Sequence, residues 1–172
     1  EQKGWLIGNL PYYITNALLR HFLAQKHSLL GLTVMVQKEV ADRMLARPGG
    51  KEYGLLSIVV QLAAEPLKLF EVPATAFYPR PKVKSAVVKL RLRRYPGLEV
   101  EEDMLIKVAK AAFAQRRKTL LNTLSAGLGL SKNETATVLQ LACIEQKQRA
   151  EELSIFEYQR ICQALKDTGL PI

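Results

Sequence analysis

The chain has 172 residues, 48% of them hydrophobic and 24% charged, and carries a net charge of +9. That balance belongs to a folded globular protein and excludes a disordered, collagenous or low-complexity chain. No apolar run reaches the ~18 uncharged residues that a membrane span needs, and no basic, apolar leader with a cleavage site is visible. A cytoplasmic protein with no membrane partner is expected.

Residues 5–9, Trp-Leu-Ile-Gly-Asn, read as a short buried strand running into a turn at Pro11. Ile14, Leu18, Leu19, Phe22 and Leu23 follow at helical spacing, which predicts an amphipathic helix over 15–26. Residues 32–37 have the β-branched, apolar composition of a buried strand. Val40, Ala41, Met44 and Leu45 then give a second helical stripe, stopped by Pro48, Gly49 and Gly50. This order predicts an α/β sheet with parallel strands.

Residues 54–64 fit a buried strand or a buried helix equally by period, and their length leans to helix. Residues 66–72 and 84–93 read as strands, joined by a connection containing Pro73, Pro79 and Pro81. In the second strand Ala86, Val88, Leu90 and Leu92 alternate with Ser85, Val87, Lys89, Arg91 and Arg93. Pro96 and Gly97 mark a boundary, which places one domain at 1–96 and a small helical one at 97–172.

In the helical part Leu105, Val108, Ala109, Ala112 and Phe113 form one stripe. Ser131 with Glu134 and Ser154 with Glu157 have capping-box spacing, and Leu153 and Tyr158 occupy the positions of a hydrophobic staple. Gly169 and Pro171 end the last helix.

The two cysteines, Cys143 and Cys162, cannot form a C-x-x-C ligand set. Both sit among apolar residues and read as reduced core thiols. His21 and His27 stand alone. No metal centre is expected.

The charge is regional. Residues 1–98 hold 15 basic and 6 acidic residues, whereas residues 99–172 hold 10 of each. Arg80, Lys82, Lys84, Lys89, Arg91, Arg93 and Arg94 are seven cations within fifteen residues, with no acid among them. Such a run can guard a strand edge. The absence of any compensating acid favours a polyanion partner.

The informative segment is Asn9-Leu10-Pro11-Tyr12, directly after a strand. The carboxyl end of a strand in an open α/β sheet faces the ligand crevice. Asn offers an acceptor and a donor, Pro fixes the backbone so that a neighbouring carbonyl can point outward, and Tyr supplies a stacking face. Two acceptors and a ring suit a planar base with an exocyclic amine, such as adenine.

This segment resembles the N/D-x-P-Y/F motif of adenine-N6 methyltransferases that use S-adenosylmethionine. The longer run Ile7-Gly8-Asn9-Leu10-Pro11-Tyr12-Tyr13-Ile14-Thr15 is similar to the form found in ribosomal RNA adenine dimethyltransferases. Further matches follow in the family's order at 36–43 (VQKEVADR), 53–57 (YGLLS), 77–88 (FYPRPKVKSAVV) and 113–120 (FAQRRKTL).

The resemblance implies the carboxyl-terminal part of a Rossmann-like methyltransferase sheet followed by a small all-helical domain. It implies helix over residues 53 to about 63. It also implies dimethylation of two adjacent adenosines near the 3′ end of 16S rRNA, with the small ribosomal subunit as partner and the protein a monomer. The site residues it implies are Asn9, Leu10, Pro11, Tyr12 and Phe77. Tyr12 and Phe77 would sandwich the adenine, and Asn9 would also lie beside the cofactor. Arg80, Lys82, Lys84, Arg116, Arg117 and Lys118 would contact RNA.

The chain departs from the family pattern upstream. Only eight residues precede Asn9, and no G-x-G loop opens a helix after a strand. Gly127-x-Gly129 reads instead as a helix-ending signal. The chain is therefore expected to be the carboxyl-terminal two-thirds of such an enzyme, inactive alone, with its 5–9 strand an unprotected edge. Two other readings stay open: a non-catalytic RNA-binding or ribosome-assembly module, and the related 23S rRNA enzyme of macrolide resistance.

Overall fold

The computed structural model describes residues 3–25 and 28–170. The elements run β1 (Gly4–Asn9), α1 (Thr15–Leu23), β2 (Leu29–Gln37), α2 (Lys38–Leu45), α3 (Leu55–Ala63), β3 (Ala64–Val72) and β4 (Ser85–Leu92). The helices α4 (Glu102–Ala112), α5 (Leu120–Leu128), α6 (Lys132–Leu141) and α7 (Ile155–Asp167) follow. The segment 54–64, which period alone leaves open, is helical over most of its length. Lys26, His27 and Pro171, each part of a sequence expectation, lie outside the described residues.

The chain divides into two compact units. One holds residues 1–46 and 59–95, and the other holds 47–58 and 96–172. Residues 47–58, placed by sequence position in the first domain, thus group with the helical part.

In the first unit the four strands lie in the order β1-β2-β4-β3. The parallel pairing expected from the strand–helix–strand–helix order holds for β1 and β2, whereas β4 pairs antiparallel with both β2 and β3. β1, β2 and β3 therefore run one way and β4 runs back between β2 and β3. The reason is the connection. Residues 73–84 hold no α-helix, only a single 3₁₀ turn, Ala74–Ala76, whereas a parallel return is usually made through a crossover helix.

One sheet face is packed. Leu32, Val34, Val36, Ala86, Val88 and Leu90 are fully buried, as are Leu19 of α1, Met44 of α2 and Leu62 of α3. Helix α2 packs on β2, β3 and β4. Its start is held by a four-charge network joining it to β3. Lys38 Nζ lies 2.5 Å from Asp42 and 3.7 Å from Glu71, and Lys68 Nζ lies 3.5 Å from Asp42 and 3.3 Å from Glu71. Partial burial pushes the Asp42 carboxyl up, but the hydrogen bond and charge of Lys38, with Lys68, hold it below its ordinary value.

The opposite face is open, with Trp5, Ile7, Leu67 and Phe70 exposed. Gly31 is required there. A Cβ at that position would stand 1.7 Å from the Trp5 indole, so glycine lets the ring lie across β2. Lys89 Nζ sits 5.2 Å from the Trp5 ring centre, a cation–π distance. β1 is an outer strand of the sheet, as expected.

In the helical unit α4 packs on α5 and α7, and α6 packs on α5 and α7. Both capping boxes form: the hydroxyls of Ser131 and Ser154 accept from the amides of Glu134 and Glu157, whose carboxylates accept in return. Gly129 caps α5 in the left-handed conformation at φ 72°. Gly127 has a different task, because a Cβ there would stand 2.6 Å from the Ala111 Cβ. It sets how closely α5 approaches α4.

Cys162 is buried in this unit, and burial pushes its thiol up to about 12. Cys143 does not meet the expectation of a core residue. It is exposed, at φ 55°, in the turn after α6. Its neighbours Ala142 and Ile144 are buried, and the left-handed backbone turns the residue between them outward.

Candidate target-base cleft

The site forms at the carboxyl ends of β1, β2 and β3, where open α/β sheets place their ligand crevices. Because β4 is reversed, its first residue, Ser85, lies at that same end. β1 terminates at Asn9, and the chain leaves through Leu10, whose N–H donates to the Met35 carbonyl at 3.1 Å. Leu10 is buried and anchors the turn. Pro11, extended at φ −58° and ψ 129°, leads into a 3₁₀ turn, Tyr12–Ile14.

The two backbone carbonyls of this turn are not equivalent. The Pro11 oxygen accepts from the Ile14 N–H at 3.2 Å and from the Thr15 hydroxyl at 2.9 Å. Among the described residues no hydrogen bond reaches the Leu10 oxygen or the Asn9 side chain. The turn therefore leaves two unused acceptors, Asn9 Oδ1 and Leu10 O, on adjacent residues. Residue types alone leave Leu10 and Pro11 equal; the fold separates them.

Tyr12 is half-buried, and its hydroxyl is 2.6 Å from the Ser85 hydroxyl. That contact ties the turn to the first residue of β4 across 73 positions of sequence. Sequence reasoning misses Ser85 as a site residue, since strand alternation says only which face it occupies.

Opposite stands the loop after β3. Phe77, half-buried in extended backbone at φ −121° and ψ 148°, lines an open cleft of about 290 Å³ together with Asn9, Leu10, Pro11 and Tyr12. Tyr78, Pro79 and Pro81 complete the wall. The structure thus brings all five predicted residues to one cleft and adds three to it.

The predicted cations fall in two groups. Arg80, Lys82 and Lys84 are exposed on the loop that forms the cleft wall, and no ion pair engages their side chains among the described residues. Arg116, Arg117 and Lys118 are exposed in the helical unit, in the turn after α4. Arg116 donates to the Lys51 carbonyl at 2.9 Å. Among the described residues no cluster of His, Cys, Asp and Glu could hold a metal ion, and no helix is long and apolar enough to cross a membrane.

The described glycines form no cradle at a strand-to-helix turn. Gly4 and Gly8 lie within β1, Gly31 within β2, and Gly49, Gly97, Gly129 and Gly169 occupy left-handed turns or caps. The lining of the cleft is instead prolines, aromatic rings and the Asn9–Leu10 acceptors.

Comparison with known proteins gives the family and the fold. The profile of the family described as "Ribosomal RNA adenine dimethylase" matches residues 1–164. "Ribosomal RNA small subunit methyltransferase A" of Desulfitobacterium hafniense (strain DSM 10664 / DCB-2) is 58% identical over 163 residues, covering 95% of this chain and 59% of that protein. The protein of the same name from Moorella thermoacetica is 48% identical over 162 residues, covering 94% and 56%. The chain therefore spans about three-fifths of the length of these relatives.

Two solved structures share the fold. A dimethyladenosine transferase from Plasmodium falciparum superposes with a TM-score of 0.80 at 24% identity, over 98% of this chain and 69% of that one. The 23S rRNA methyltransferase ErmE superposes with a TM-score of 0.66 at 22% identity, over 96% and 67%. At those identities the likeness is one of fold, and the fold is Rossmann-like. On the extent of the family match and the identity to its members, the chain belongs to the ribosomal RNA adenine dimethylase family.

Proposed function

We propose that this chain forms the target-base side of an S-adenosylmethionine-dependent enzyme that dimethylates N6 of adjacent adenosines in 16S rRNA of the small ribosomal subunit. The observation that carries the reading is the pair of unused acceptors, Asn9 Oδ1 and Leu10 O, in one cleft with Tyr12 and Phe77.

The target base leaves its stack to enter the cleft, as in other enzymes that act on bases. Adenine N6 is a poor nucleophile because its lone pair is delocalised into the ring. Asn9 Oδ1 and the Leu10 carbonyl accept hydrogen bonds from the N6 amino group, two before the first transfer and one before the second, draw the nitrogen toward a pyramidal geometry and aim the lone pair; each transfer releases one N6 proton to solvent. Tyr12 and Phe77 hold the ring plane, and the Tyr12–Ser85 hydrogen bond keeps Tyr12 in place. S-adenosylmethionine supplies an electrophilic methyl group when bound. This chain's contribution is orientation and electrostatics, with no covalent enzyme intermediate. Small-subunit rRNA is favoured as substrate by relatives that carry that name at 58% and 48% identity.

The chain alone lacks a glycine-rich cradle and does not hold the cofactor by itself. Its cations still bind RNA. Calorimetry tests both statements. Titration of residues 1–172 with S-adenosylmethionine shows no binding, and titration with rRNA shows salt-sensitive binding. In parallel, the full-length protein converts adenosine in small-subunit rRNA to N6,N6-dimethyladenosine. Micromolar cofactor binding by the chain would overturn the first statement, and no dimethyladenosine from the full-length protein would overturn the reading.

A further inference from the structure

Tyr78 stands out among the residues that the reaction geometry leaves without a task. It lines the cleft beside Phe77, yet its side chain is fully exposed. Among the described residues it has no hydrogen-bond or ring partner. Phe77 next to it is half-buried and faces the base site. The following residue is Pro79, and Pro81 lies two further on. Proline fixes its own φ and restricts the residue before it, so the tyrosine stands on stiff backbone. An amphipathic ring in water, held beside a binding cleft, presents a flat apolar face with little conformational entropy left to lose on binding.

The surroundings state what that face fits. Arg80, Lys82 and Lys84 follow on the same loop, exposed and without ion-pair partners among the described residues. An aromatic face interleaved with unpaired cations is the arrangement that holds single-stranded nucleic acid, with phosphates on the cations and a base on the ring. A base flipped into the cleft leaves its neighbour in the strand without a stacking partner on one side.

We propose that Tyr78 is a positioning residue that stacks on the base next to the target adenosine in the RNA strand, replacing the stacking that flipping removes. The proposal rests on the reading of the cleft as an adenosine site. It assigns Tyr78 a role in substrate selection, since a neighbouring base would be required for tight binding.

The test uses the full-length protein and RNA substrates that are intact, or abasic at the nucleotide immediately 5′ or immediately 3′ of the target. On intact RNA, Tyr78→Ala raises KM by about 5–150-fold, the range for removal of one base–aromatic stack, with kcat changed far less. Tyr78→Phe retains the wild-type KM. With one of the two abasic substrates the difference between wild type and Tyr78→Ala disappears. A 2-aminopurine at that same position is quenched on binding to wild type and not to Tyr78→Ala. The proposal is overturned if Tyr78→Ala leaves KM unchanged, or shifts it equally on all three RNAs. Failure of the underlying reading shows separately, as wild-type protein that forms no N6-methylated product on intact RNA.

Discussion

At the scale of single residues, the site is a problem of two acceptors and a ring. That Asn9 and Tyr12 line a cleft is legible in the sequence, because a turn directly after a strand of an open α/β sheet faces the ligand crevice. The choice between the Leu10 and Pro11 carbonyls is not, because it depends on the 3₁₀ turn that consumes the Pro11 oxygen. Ser85 is also hidden, since its partner lies 73 residues away. The Tyr12–Ser85 hydrogen bond makes a graded prediction. Tyr12→Phe and Ser85→Ala each remove that bond, worth about 1 kcal/mol, and keep the ring, so each lowers kcat by roughly 5-fold. Tyr12→Ala removes the stacking face as well and costs far more. Single-turnover rates distinguish them; equal losses for Phe and Ala at position 12 would show that the hydroxyl, and not the ring, carries the function.

Among the elements, periodicity locates helices and strands well but does not state strand direction. β4 alternates cleanly, and alternation records which face is buried whichever way the strand runs. Its reversal goes with the helix-free connection at 73–84, and that reversal is what brings Ser85 to the mouth of the sheet, where the Phe77 loop leaves β3. The capping boxes are legible because both partners lie within four residues. The close approach of α4 and α5 is not. Gly127 reads as a helix-ending residue, but it lies inside α5 against Ala111. Gly127→Ala pits two effects against each other. Helix propensity favours Ala by about 1 kcal/mol, while overpacking a filled interface costs about 1–3 kcal/mol. With Cβ atoms forced to 2.6 Å, overpacking wins. Denaturant unfolding should show net destabilisation with an unchanged m-value. A stabilised variant would mean that the two helices separate freely.

For the whole molecule, the charge of +9 and its concentration in residues 1–98 are plain from residue counts. Which cations are available, in that part or in the charge-balanced remainder, is decided by the fold. Arg116 spends one donor on the Lys51 carbonyl, whereas Arg117 and Lys118 are exposed and have no ion pair among the described residues. Replacing Arg117 and Lys118 by Gln should therefore weaken RNA binding by the full-length protein. It should also flatten the slope of log affinity against log salt by about 0.7–0.9 for each phosphate no longer neutralised. An unchanged slope would assign both side chains to solvent.

The central claim is that the strand-end turn orients adenine N6 and does little to hold the RNA. Single-turnover methylation by the full-length protein carrying Asn9→Ala, measured beside RNA affinity, tests it most directly. Misplacing a reacting atom by an ångström can cost about 100-fold in rate. A fall of that order or more is expected, with RNA affinity changed less than about twofold, since the phosphate contacts that dominate affinity are untouched. A methylation rate equal to that of the wild type would contradict it.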